Sequence, residues 1–179
     1  RVMTIIYEKI AIIGVGLIGA SIALAARRAG LAGSVTGCEI DSSKAGEIEK
    51  LGLVDHVTTN AVAAVQDADL VVMAVPVGAL GPLAAQIVPA MKPGAVLTDT
   101  GSTKRSVLSD VDPHISGDIY WIPSHPLAGT EHSGPAAGFA ELFDGRYWLV
   151  LPREVPEDKV VRFESFVTGM GSVSERMDA

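Results

Sequence analysis

Cysteine occurs once in the 179 residues, as Cys38. That excludes an intrachain disulfide framework and a cysteine-based zinc site, and nothing else in the chain points to an oxidising compartment or to a metal. Aromatic residues are scarce at 5%, which leaves little from which to build a stacking surface. Basic residues are outnumbered, 14 against 21 acidic, for a net charge of −7. They form no cluster, so the basic face of a nucleic-acid binder is missing. Charged residues make up 20% and hydrophobic ones 48%, a balance that excludes disorder and provides the core of one domain. There is no internal repeat, low-complexity tract or obvious interdomain linker.

Two stretches lack charge altogether. Residues 10–26 end at Arg27 and Arg28 and superficially resemble a signal peptide, but Gly14, Gly16 and Gly19 interrupt them and Glu8 precedes them. Residues 70–91 are long enough to span a bilayer. Pro76, Pro82 and Pro89, with Gly78 and Gly81, divide them into a strand and a helix. Both stretches therefore read as parts of a soluble fold, with no membrane partner and the cytoplasm as the default location.

Strand and helix signals alternate along the chain. Apolar runs at Lys9–Ile13, Ser34–Glu39, Leu70–Ala74, Ala95–Asp99, Asp118–Ile122, Tyr147–Leu151 and Ser172–Arg176 read as strands. Helices are expected over Gly16–Arg28, after an N-capping Asp41 up to Gly52, from Val77 or Gly81 to Met91, over Thr103–Val111 and from Pro156 to Gly169. His56 is placed in a connection and Pro123–Pro135 in a loop. This alternation implies an α/β fold, with a doubly wound, mostly parallel sheet and helices on both faces. Ligands of such sheets bind beyond the carboxyl ends of the strands, so chemistry should follow strands.

It does so first at Gly14-Val15-Gly16-Leu17-Ile18-Gly19, a G-x-G-x-x-G turn between strand and helix. Gly14 permits the tight turn, Gly16 lets backbone approach a pyrophosphate, and Gly19 lets helix and strand pack closely. The helix N-terminus offers free N–H groups to the phosphates. Glu39 ends the next strand 20 residues after Gly19, where a carboxylate accepts hydrogen bonds from ribose hydroxyls and repels a 2′-phosphate. The pattern points to a Rossmann-like domain with NAD, rather than NADP, as cofactor. The plainer alternative is a tight turn that binds nothing.

Two further motifs follow strands. In Thr98-Asp99-Thr100-Gly101-Ser102-Thr103-Lys104, Ser102 is either a helix cap or a functional hydroxyl. His125, 23 residues after Ser102, opens His125-Pro126-Leu127-Ala128-Gly129-Thr130-Glu131 and is placed to take a proton at neutral pH, or else only to bond nearby backbone. With the glycine turn and Phe143-Asp144-Gly145-Arg146-Tyr147-Trp148, these motifs resemble the prephenate/arogenate dehydrogenase family of tyrosine biosynthesis, and the likeness runs along nearly the whole chain.

The resemblance implies NAD-dependent oxidative decarboxylation of prephenate to 4-hydroxyphenylpyruvate, or of arogenate to tyrosine. It makes His125 the catalytic base on the substrate 4-hydroxyl, with Ser102 beside it, and sets Thr130 and Glu131 in the substrate pocket. It also puts Val15, Leu17, Ile18, Val75, Pro76, Gly101 and Ser102 against the cofactor, alongside Gly14, Gly16, Gly19 and Glu39. The family has a C-terminal helical domain that forms a homodimer and grips the substrate. The chain begins at Arg1 and stops at Ala179, about where that domain would start, so the expectation is a truncated form or fragment, 1–179 being the dinucleotide-binding domain. Competing readings are another NAD-dependent dehydrogenase, of the β-hydroxyacid dehydrogenase or imine reductase type, and a non-catalytic NAD-binding module.

Overall fold

The computed structural model describes residues 4–178; Arg1 and Ala179 lie outside them. Six strands form one parallel sheet: β1 (Tyr7–Ile13), β2 (Ala32–Cys38), β3 (His56–Thr58), β4 (Leu70–Met73), β5 (Val96–Asp99) and β6 (Tyr120–Trp121). Their order is β3-β2-β1-β4-β5-β6. The connecting helices are α1 (Leu17–Arg28), α2 (Ser42–Leu51), α3 (Ala61–Val65), α4 (Val77–Ile87) and α5 (Lys104–Val111). A second sheet is made by β7 (Ser124–Pro126), β8 (Tyr147–Val150) and β9 (Val173–Arg176), with α6 (Glu157–Gly169) between the last two. In it β7 and β8 are antiparallel and β8 and β9 parallel.

Alternation along the central strands explains why they read as unbroken apolar runs. Ile10 and Ile12 of β1, with Leu70 and Val72 of β4, belong to one core together with Ala20 and Ile22 of α1, Ile48 of α2 and Phe163 of α6. Ala11 and Ile13, with Val71 and Met73, belong to a second core with Ala64, Leu80 and Val107 of α3, α4 and α5. Successive side chains point to opposite faces, and both faces are covered. Trp148 of β8 enters the first core, packing its ring on Phe143 with centroids 5.1 Å apart, so the small sheet shares that core with the large one. No helix among the described residues is long and apolar enough to cross a membrane.

The expected caps on α2 are present. Asp41 accepts from the backbone N–H groups of Ser43 and Lys44, and Gly52 closes the helix at φ 63°, a left-handed conformation that glycine adopts without strain. Other expectations need correction. His56 lies in strand β3, not in a connection. Ser124–Pro126 is a strand inside the expected loop, held by the register Ser124↔Val150. The expected helix to Met91 ends at Ile87, followed by a 3-10 turn at Val88–Ala90 in which Pro89 cannot donate an N–H. Ser102 is not the cap of α5; Thr103 holds that position, with no side-chain bond.

Candidate functional site

Strand order reverses between β1 and β4, and the ends of these two strands open a slot there. A cavity of about 240 Å³ there is lined by Gly14, Glu39, Ile40, Val75, Ala79 and Pro82, among others. The three motif glycines serve different ends. Gly14, at φ 92°, lies so close to the carbonyl of Ala74 that a Cβ would stand 2.5 Å from its oxygen. A Cβ on Gly19 would meet the Gly14 carbonyl oxygen at 2.2 Å. A Cβ on Gly16 would meet no protein atom within 4 Å. Gly14 and Gly19 are therefore required by the fold, while Gly16 faces open space at the N-terminus of α1, where it caps the helix without a side chain. Val15, Leu17 and Ile18 complete the turn.

Glu39 follows β2, half-buried, and its Oε1 accepts from the Val15 N–H at 2.9 Å. One carboxylate oxygen is thereby fixed to the turn, which orients the side chain at the slot without exhausting its capacity as an acceptor. Cys38 lines the same slot but is 1% exposed, and burial, reinforced by the Glu39 charge, pushes its thiol up to about 11. At neutral pH it is an unreactive thiol. The expected result is that iodoacetamide leaves native Cys38 unmodified over a period in which it fully labels the unfolded chain, as read by mass spectrometry.

Ser102 and His125 come together. Both line a cavity of about 430 Å³, with Lys104, Arg105 and Leu108 of the α5 region and Leu149, Leu151, Met177 and Asp178 from the small sheet and beyond. Ser102 is exposed after β5, and His125 is half-buried in β7. Burial and the Lys104 charge hold the His125 imidazole below its ordinary value of 6.5, with Asp99 opposing them, so the ring is neutral at pH 7 and keeps a lone pair available.

Beneath these two side chains is a polar group that sequence reading gives no role. The Asp99 side chain is completely buried and accepts from Lys104 Nζ, from the Gly101 N–H at 2.9 Å and from the Ser124 N–H at 3.1 Å. Burial pushes the Asp99 carboxyl up and the Lys104 ammonium down, and the attraction between the two opposes both shifts. A weak signal was present: one acidic residue ends the strand Val96-Leu97-Thr98-Asp99, five residues before a lysine.

Other expected residues are elsewhere. Thr130 bonds locally to His132, accepting from its N–H at 3.1 Å, and the Glu131 side chain is 89% exposed, 3.7 Å from the His132 ring. Neither lines the slot or the Ser102–His125 cavity. Pro76 precedes α4, next to Val75 but outside the slot lining. A larger concavity of about 700 Å³ contains no expected site residue; its Arg153 is locked to Asp112 by two bonds of 2.8 Å.

Residues 22–176 match the family model of the prephenate dehydrogenase nucleotide-binding domain. The chain belongs to the prephenate dehydrogenase family. Among relatives, a cyclohexadienyl dehydrogenase of Zymomonas mobilis is 43% identical over 149 residues, covering 82% of this chain and 50% of that protein. Among solved structures, prephenate dehydrogenase of Aquifex aeolicus, in complex with hydroxyphenyl propionate and NAD+, superposes with a TM-score of 0.85 at 26% identity, over 96% of this chain and 60% of that one. Synechocystis arogenate dehydrogenase gives a TM-score of 0.87 at 25% identity over the same shares. The chain thus spans about half, or less, of the length of the curated family members it matches. The family match begins inside α1, so the case for the glycine turn rests on its geometry.

Proposed function

We infer that this chain is the NAD-binding and proton-abstracting half of a dehydrogenase that oxidatively decarboxylates prephenate or arogenate. The observation that carries this reading is the convergence of Ser102 and His125, which are far apart in sequence, on one cavity. Residues 1–179 are then the dinucleotide-binding domain, and in the whole protein a further helical part completes the substrate pocket and forms the homodimer.

The residues present fit the cofactor. Gly16 leaves room for a pyrophosphate against backbone, the α1 N-terminus supplies donors, and the anchored Glu39 carboxylate suits the two hydroxyls of an unphosphorylated ribose. Bound nicotinamide supplies the hydride acceptor. His125, neutral at pH 7, accepts the proton of the substrate 4-hydroxyl as that carbon becomes a carbonyl. Ser102 orients the same hydroxyl through its own. The ring carboxylate departs as carbon dioxide, its bonding electrons complete the aromatic ring as the carbonyl π pair returns to oxygen, and that oxygen recovers its proton from His125 to give the phenol. Leu108, Leu149 and Leu151 provide an apolar wall against the ring. Thr130 and Glu131 are proposed as substrate residues only in the completed pocket, since their loop is exposed here.

The test is NADH formation by the whole protein with prephenate, arogenate and a 3-hydroxy acid as alternative substrates. Turnover of either cyclohexadiene and none of the hydroxy acid is expected. Turnover of the hydroxy acid alone would replace this reading with the β-hydroxyacid one, and NAD binding without any turnover would replace it with a binding module.

A further inference from the structure

Asp99 ends β5, and its carboxylate reaches in two directions. Toward its own turn it accepts from the Gly101 N–H, next to Ser102; toward the small sheet it accepts from the Ser124 N–H, next to His125. Ser124 is held a second time, because its Oγ donates to the Asp99 carbonyl at 2.9 Å. That hydroxyl in turn accepts from Trp148 Nε1 at 3.0 Å and lies 2.7 Å from the Thr98 hydroxyl. One assignment satisfies the whole group: Thr98 and Trp148 donate to Ser124, and Ser124 donates to Asp99.

Gly101 belongs to the same arrangement. A Cβ there would stand 3.0 Å from the Asp99 carboxylate and 3.1 Å from Val77 and Val107, so glycine lets this amide come close. A buried carboxylate is expensive unless fully bonded, and the rest of β5 points apolar groups or Thr98 into the same interior. Besides the bond from Lys104 Nζ, its bonds come from the two backbone amides that immediately adjoin the two candidate catalytic side chains.

We propose that Asp99 is a positioning residue, whose buried carboxylate fastens the turn bearing Ser102 to the strand bearing His125 so that both side chains face one cavity. The proposal rests on the catalytic reading for its purpose, but the clamp itself is a property of the fold. Lys104 neutralises the carboxylate and is not needed to hold the amides. The charged groups facing His125 are Lys104 and Arg105 from the α5 region, Asp99 from β5 and Asp178 beyond β9.

The experiment compares the 179-residue chain with Lys104→Met and with the charge-neutral pair Asp99→Asn/Lys104→Met. Native-state amide exchange is read at Gly101 and Ser124, and the His125 ring is titrated by its proton shifts. In Lys104→Met both amides stay protected. In the pair, an NH2 donor replaces one carboxylate oxygen, so at least one of the two amides exchanges about tenfold faster or more, while β1 and β4 amides hold. Relative to Lys104→Met, loss of the Asp99 charge alone would lower the His125 midpoint; loss of position, which lets water reach the ring, raises it toward 6.5. A rise is expected. Unchanged exchange at both amides, or a lowered midpoint, overturns the proposal. If the pair does not fold, Lys104→Met decides: retained protection supports the clamp, and lost protection makes Lys104 the fastener instead. None of these readouts needs turnover, so an inactive protein sinks the catalytic reading and leaves the clamp tested.

Discussion

Replacing His125 with asparagine is expected to lower turnover of the whole protein by about three orders of magnitude while leaving NAD affinity within about twofold, because a positioned base contributes roughly 10²–10⁴ and the imidazole serves substrate rather than cofactor. The separation follows from the architecture. His125 lines the cavity with Ser102 and Leu149, whereas the slot at the strand-order reversal is lined by Gly14, Glu39 and Val75. Asparagine retains a polar group of similar reach but cannot take a proton. The pH profile adds a second check. A base must be neutral to act, and burial with the Lys104 charge holds this imidazole below 6.5, so the acid limb of kcat/KM lies below pH 6.5. Lys104→Met removes one of the causes and moves that limb to higher pH. Unchanged turnover in His125→Asn, measured by NADH formation, removes the residue from the mechanism.

The parts legible in the sequence are those where local pattern and tertiary role agree. β1, β4 and β5 are buried on both faces, so they read as apolar runs, and the turn at residues 14–19 has a spacing that little else demands. Strand β3 is three residues long and starts at a histidine; its identity comes only from pairing with β2, Thr36↔His56. β7 contains a proline and a serine and exists because Val150 and Trp148 lie opposite. Neither has a period to detect. At the site, Ser102 and His125 are recoverable because their residue types advertise chemistry and their motifs are distinctive. Asp99 and Lys104 carry only a weak signal, because an aspartate at a strand end and a lysine at a helix start are each ordinary on their own. Only the fold shows that the aspartate is fully buried and bonded to both neighbouring segments. Thr130 and Glu131 mark the converse case, where motif likeness assigns a pocket that the described residues alone do not enclose.

The glycine turn gives the other large effect, and it separates folding from binding within six residues. Gly19→Ala is expected to cost about 3 kcal/mol or more of stability, the upper end for overpacking, because its new methyl would sit 2.2 Å from a backbone oxygen that belongs to the same turn and cannot rotate away. Relief requires α1 to move off β1, and Ala20 and Ile22 of that helix are buried in the first core. Gly16→Ala should leave the melting temperature within about 2 °C, since a Cβ there meets no protein atom and its φ of −89° is open to any L-residue. The same methyl occupies the space in front of the α1 N-terminus, where bound phosphates need direct approach to backbone N–H groups. NAD affinity should therefore fall by about a hundredfold, equal to the loss of some 2.7 kcal/mol, in a protein that melts normally. Thermal melts with calorimetric NAD titrations on both variants make the comparison. If Gly16→Ala binds NAD as tightly as the unaltered chain, the phosphates do not rest on this turn, and the open face at Gly16 has some other cause.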